Sequence, residues 1–160
     1  MAVKAVPEGA HSVTPYLIVG GARKAIEFYQ HVFGAKEVMC MQDPSSGRVG
    51  HAEIAIGDGT IMLADEHPEM GILGPKSLGG ARPPISVHLY LEDVDAVYKR
   101  AVAAGALSQR EPQDQFYGDR IAQIADPFGH VWSLATHKED VSSEEMAKRF
   151  EQMSKQQGGH

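Results

Sequence analysis

The chain has 160 residues, 42% of them hydrophobic and 22% charged, a balance that excludes disorder over most of its length. Its 15 Lys and Arg against 21 Asp and Glu leave a formal charge of -6, which repels a phosphate backbone and excludes a general nucleic-acid binder. No apolar run approaches the roughly 20 residues that span a bilayer.

Cys40 is the single cysteine, so no intrachain disulfide forms. There is no Asn, hence no N-glycosylation site. The stretch from Met1 to Pro7 lacks the apolar core of a signal peptide. Together these lead us to expect a cytoplasmic protein that engages neither membrane nor nucleic acid.

Residues 1–12 mix Gly, Pro and small polar residues and read as a flexible leader. Thr14 to Val19 reads as a strand, with Pro15 near its start. Ala22, Ala25, Ile26, Tyr29, Val32 and Phe33 recur at helical spacing, and Gly34 ends the helix. Strands follow at Val38–Met41, His51–Ile56 and Thr60–Ala64, separated by turns at Asp43–Gly47 and Gly57–Gly59.

The same order then recurs. Ser86–Leu91 is a strand. Asp93 caps a helix carrying Val94, Val97, Tyr98, Ala101 and Val102, which stops at Gly105. A weak strand is expected at Ala106–Arg110, a polar loop at Glu111–Gln115 and a strand at Phe116–Ala125. Asp126-Pro127-Phe128-Gly129 has type I turn chemistry, and His130–Thr136 is the last strand. Aligning the halves sets Thr14 on Ser86, Ile26 on Tyr98, Gly59 on Gly129 and Leu63 on Ser133. Each half is β-α-β-β-β. We therefore expect an α+β fold: a leader at 1–12, a first module at 13–67, a Gly/Pro connector at 68–84, a second module at 85–137 and a C-terminal helix and tail at 138–160. Ser142 and Glu145 form a capping box for that helix, Met146, Phe150 and Met153 form its apolar stripe, and Gln156–His160 are expected to fray.

Side chains alternate across a strand. Leu17 and Val19 oppose Tyr16 and Ile18; Val87 and Leu89 oppose Ser86, His88 and Tyr90; Trp132 and Leu134 oppose Val131, Ser133 and Ala135. One face is apolar and should carry the helices. The other mixes Thr, Tyr, His and Ser with apolar residues, as a ligand cavity does, and as a half-solvated antiparallel sheet also does.

The paired modules, Ala25-Ile26-Glu27-Phe28-Tyr29 with Phe33-Gly34, and Asp126-Pro127-Phe128-Gly129-His130 resemble the vicinal oxygen chelate superfamily, which includes glyoxalase I, bleomycin-resistance proteins, fosfomycin-modifying enzymes and extradiol dioxygenases. Tyr117-Gly118-Asp119-Arg120, Val131-Trp132 and His137 to Ser142 resemble its PhnB-like branch. The resemblance covers about Val13 to Phe150. It implies an open, curved half-barrel whose concave side binds the ligand, and a homodimer.

Metal-dependent members place His or Glu on the first and fourth strands of each module. The matching positions here are Thr14, Leu63, Ser86 and Ser133, none a good ligand. The expectation is therefore no cofactor, with a displaced divalent-metal site at Asp65, His88 and His137 as the alternative. No HxxxH, CxxC or HExxH spacing occurs. Glu53 stands alone as an acid in an apolar strand, sharing a face with His51 and Ala55. It is a candidate general base or a solvated edge carboxylate. Tyr117 and Arg120 are candidates for holding an anionic or aromatic ligand, or Arg120 makes a surface ion pair with Asp119 or Asp126. Tyr16, His88, Tyr90 and Ser133 complete the expected ligand face. The leading expectation is a binder of a small organic molecule, acting by sequestration or metal-independent chemistry. The alternatives are a metal-dependent lyase, isomerase or dioxygenase, and a structural or regulatory dimer.

Overall fold

A computed structural model describes residues 3–157; Met1, Ala2 and the end of the expected frayed tail, 158–160, lie outside the described residues. Residues 3–15 carry no helix or strand. Two compact units follow. The chain up to Ile85 forms the first, together with Asp126–His130; Ser86–Ala125 and the chain from Val131 onward form the second.

The first unit is β1 (Tyr16–Val19), α1 (Ala22–Phe33), β2 (Lys36–Gln42), β3 (Val49–Ile56) and β4 (Gly59–Asp65). Its sheet order is β1-β4-β3-β2, with β1 parallel to β4 and the other pairs antiparallel. Helix α1 buries Ala22, Ala25, Ile26, Phe28, Tyr29 and Val32. The sheet meets it with Leu17, Val19, Ala52, Ile54, Ile61 and Leu63, all buried. Each large aliphatic side chain so buried contributes about 1.5–3 kcal/mol. No neighbouring side chain caps the start of α1. Asp65 does so from the end of β4, its Oδ1 accepting from the N–H of Gly21 (2.9 Å) and Ala22 (2.7 Å). A carboxylate there also suits the positive end of the helix dipole. Gly34 ends the helix at φ 69°, a left-handed conformation open to glycine.

The two family-like motifs meet inside this unit. The Tyr29 hydroxyl donates to Asp126 Oδ2 at 2.6 Å. Asp126 Oδ1 accepts from the N–H of Phe128 and His130, and Phe128 packs edge-on to Phe28 and Tyr29. Their role is architectural.

The second unit is β5 (Ser86–Tyr90), α2 (Val94–Ala103), β6 (Leu107–Asp114), β7 (Asp119–Ala125), β8 (Val131–His137) and α3 (Ser143–Gln157). Its sheet order, β5-β8-β7-β6, repeats the first topology. Asp93 caps α2, accepting from Ala96 N–H at 3.0 Å. Val94, Val97 and Ala101 of α2 are buried, as are Ala122, Ile124, Trp132 and Leu134 of the sheet.

Several expectations need correction. Glu111–Asp114 is strand, because β6 is a polar edge whose charges resemble a loop; its ladder to β7 breaks register on either side of Arg110, which lets Pro112 into the strand. Phe116–Gly118 is a turn and β7 begins only at Asp119, since Gly118 takes φ 98°. The repeat alignment slips by one at the fourth strand. Leu63 pairs with Leu17 and Leu134 with Leu89, so Leu63 matches Leu134, and Met62 matches Ser133. At the C-terminus, Ser142 Oγ accepts from Glu145 N–H at 3.2 Å, but the Glu145 carboxylate turns to Arg149. Only half of the capping box forms. Gln156 and Gln157 are helical.

Candidate functional site

The face of the first sheet opposite α1 carries Tyr16 and Ile18 on β1, Met62 on β4, His51 and Glu53 on β3, and Met39 and Met41 on β2. The ladders place them: Met62 pairs with both Tyr16 and Glu53, Met39 with Glu53 and Met41 with His51. His51 and Glu53 are half-buried while their neighbours Ala52 and Ile54 are buried against α1. Tyr16 is 47% exposed. Its hydroxyl lies 2.8 Å from His51 Nδ1, and His51 Nε2 lies 3.2 Å from Glu53 Oε1. Burial pushes the Tyr16 phenol up from its ordinary value. Glu53 and Tyr16, singled out separately in the sequence, are thus joined through His51, which was not singled out. The signal was its position two residues from Glu53.

Tyr16 also forms one wall of a groove of about 370 Å³. Ile18, Leu73, Pro75, Leu78, Pro83 and Pro84 supply its apolar lining, and Arg82 and His130 its polar groups. The connector forms most of that wall. Its early part is anchored, with Glu66 accepting from Gly74 N–H at 2.6 Å and from Ser77 Oγ at 3.0 Å. His130 Nε2 donates to the Ile18 carbonyl at 2.9 Å.

The second sheet holds a separate cluster opposite α2. Tyr90 donates its hydroxyl to Asp119 Oδ2 at 2.7 Å, and His137 Nδ1 bonds Asp119 Oδ1 at 2.7 Å. His137 Nε2 bonds Asp140 at 2.8 Å, and the His88 ring stands edge-on to Tyr90 at 4.9 Å. Burial acts to raise the Asp119 carboxyl, but the bonds from His137 and Tyr90 outweigh it and hold it low. The bond to Asp119, then that to Asp140, raises His137. The bond to Asp119 raises Tyr90. Ser133 is buried and pairs with His88 on β5 and Gln123 on β7.

The remaining candidates sit elsewhere. Arg120 is on the α2 side of β7, its fork bonded to Asp95 at 2.7 and 2.9 Å and to Asp114 at 3.0 Å. It pins the sheet to the first turn of α2, and its partners are neither Asp119 nor Asp126. Tyr117 lies in the turn before β7, edge-on to Phe116, its phenol raised by burial. Asp65 shares the face of Leu63 and so points toward α1. Its Oδ2 accepts from Val49 N–H at 2.8 Å, in addition to the two helix donors on Oδ1. Among the described residues, no group of three or more His, Cys, Asp and Glu side chains is arranged to hold a metal ion. No helix among them is long and apolar enough to cross a membrane.

Paired β-α-β-β-β units with mixed-polarity faces opposite the helices define the class of fold. A model of the Glyoxalase/Bleomycin resistance protein/Dioxygenase superfamily matches residues 9–134, and the chain belongs to that superfamily. Two mycobacterial relatives, the uncharacterized proteins Mb0911c of Mycobacterium bovis and Rv0887c of Mycobacterium tuberculosis, are each 40% identical over 138 residues. The match spans 84% of this chain and 89% and 79% of theirs. Among solved structures, the fosfomycin resistance protein FosX of Listeria monocytogenes is 20% identical with a TM-score of 0.63, covering 86% of this chain and 98% of its own. The PhnB protein of Bacillus cereus is 19% identical with a TM-score of 0.61 over 79% and 99%. TioX of Micromonospora sp. ML1 is 24% identical with a TM-score of 0.58 over 83% and 100%. These likenesses show the fold.

Proposed function

We propose that the protein binds a small organic molecule with a flat apolar body in the groove beside Tyr16, and that it does so without a metal. The groove carries this reading: about 370 Å³ of mostly apolar wall with Tyr16, Arg82 and His130 as convergent polar groups, the composition of a ligand site. The exposed methionines Met39 and Met41 extend it across the sheet with soft, adaptable surface.

A metal-independent reading draws on the donor set. With the fourth-strand register corrected, the positions that match the superfamily's ligands are Thr14, Met62, Ser86 and Ser133, which supply no imidazole or carboxylate. Of the displaced alternative, Asp65 has both oxygens committed to backbone donors, and His137 has both ring nitrogens facing carboxylates. No step is therefore routed through a metal. Fosfomycin resistance is the role of the FosX protein of Listeria monocytogenes; for this chain we propose sequestration of a small molecule as the mode of action. We also propose a homodimer. The helix α3 supports it, with Phe150 54% exposed and no residue of the helix buried. The single, unpaired Cys40 suits a reducing compartment such as the cytoplasm.

The test is a thermal-shift screen with planar aromatic acids. A ligand at about 100 times its Kd adds about 2.7 kcal/mol. The expected result is a shift that is lost in Leu78→Glu, whose site is exposed and tolerates the change. A panel that leaves wild type and variant alike overturns the proposal.

A further inference from the structure

We infer that Tyr16 is the donor that selects the ligand, that protonation of His51 switches it on, and that the ligand class is a flat apolar body bearing an oxyanion. This rests on the groove proposed above.

The switch follows from which atoms can donate. An ionised Glu53 only accepts, so the proton between it and His51 sits on Nε2. In the neutral ring Nδ1 is then bare and accepts the Tyr16 hydroxyl across 2.8 Å. The hydroxyl proton is committed to His51, and a ligand meets only the oxygen lone pair. When the ring gains a proton, Nδ1 becomes a donor. The same 2.8 Å contact then runs from Nδ1–H to the Tyr16 oxygen, and the hydroxyl proton swings away from His51. No heavy atom has to move. Because burial keeps the phenol protonated, the group remains a neutral O–H donor in both states. Its proton is then open to solvent or to a ligand, and an anionic oxygen is the strongest acceptor it can meet.

The charged surroundings allow the assignment to be isolated. On the strands, His51 faces Tyr16 of β1 and Glu53 of its own strand, while Met41 of β2 and Met62 of β4 are uncharged. Arg82 of the connector and His130 of the turn line the groove. Imidazole is the side chain whose charge changes near neutral pH, so His51 and His130 are the two groups that the variants must separate; the His130 ring is held by the Ile18 carbonyl.

The probe is 1-anilinonaphthalene-8-sulfonate, with neutral N-phenyl-1-naphthylamine as its counterpart lacking the oxyanion. Binding to the full chain is read by fluorescence titration near pH 5.5 and near pH 8.5, with circular dichroism confirming the fold at both. The sulfonate is expected to bind about tenfold tighter at the lower pH, as for one charge-assisted hydrogen bond, and the neutral probe equally at both. Tyr16→Phe and His51→Gln should each flatten the sulfonate's pH dependence, while the neutral probe's affinity stays independent of pH. Equal sulfonate affinities in the wild type overturn the switch and leave the groove standing. A pH dependence that persists in His51→Gln assigns it to His130 and also overturns the switch. If neither probe binds, or Leu78→Glu weakens neither, the groove itself is refuted and the switch falls with it.

Discussion

Replacing Asp65 by Ala separates an architectural from a metal-binding role for this carboxylate. Three backbone N–H groups, at 2.9, 2.7 and 2.8 Å, lose their acceptor together. Two of them open α1 and one opens β3, and Ala22 and Val49 are fully buried, so water does not readily replace the carboxylate. At about 1–1.3 kcal/mol for each bond, within the usual net range for a hydrogen bond, the variant should lose about 3–4 kcal/mol. That is a large part of a typical total of about 5–15 kcal/mol. The melting temperature should fall by roughly 2–4 °C per kcal/mol, hence by about 6–16 °C. Asp65→Asn should lose about 2 kcal/mol, because its amide keeps one acceptor and turns a second donor against an N–H. Urea denaturation followed by circular dichroism, run with and without a chelator, measures both. A loss under about 1 kcal/mol in Asp65→Ala would refute the capping account. So would a chelator that destabilises the wild type and has no effect on the variant.

Tyr29→Phe removes the donor to Asp126 at a fully buried site and should cost about 1–3 kcal/mol by urea denaturation; no change would show the bond to be dispensable. Trp132→Ala should cost about 3–5 kcal/mol, because a fully buried ring leaves a cavity under α2, and a loss below 1 kcal/mol would show that the site collapses. The Asp119–His137 pair predicts a stability window. The lowered Asp119 contributes fully above its unfolded pKa of about 3.9 and loses this as pH falls through the folded value; the raised His137 contributes fully below about 6.5 and loses this as pH rises through its folded value. The deficit of Asp119→Asn should therefore be greatest near pH 5–6 and shrink on either side, and a deficit flat from pH 3 to 9 would contradict it. Light scattering at micromolar concentration should give about twice 17.3 kDa; a monomer mass removes the dimer proposal.

Local pattern alone determined the order of elements. The stripe Ala22, Ala25, Ile26, Tyr29, Val32 repeats at 3.6 residues, and alternation in Tyr16–Val19 and His51–Ile56 repeats at two. Such periods survive in the sequence because each buried face is built from near neighbours. Polar edges broke the pattern, which is why β6 read as part loop: a charged strand is not distinguishable from a turn by composition. The site was half legible. Alternation placed Glu53 with His51 on one face of β3 and, separately, Tyr16 with Ile18 on one face of β1. It said nothing of which strand lies beside which, so the link from Tyr16 to His51, 35 residues apart, waited on the β1-β4-β3 register. The same register decided the one-residue slip that exchanges Leu63 for Met62. It also turned Asp65 from a candidate ligand into the cap of α1, and tied Arg120 to Asp95 across the sheet–helix interface. Partners distant in sequence are chosen by packing and ladder geometry, and no local period records them.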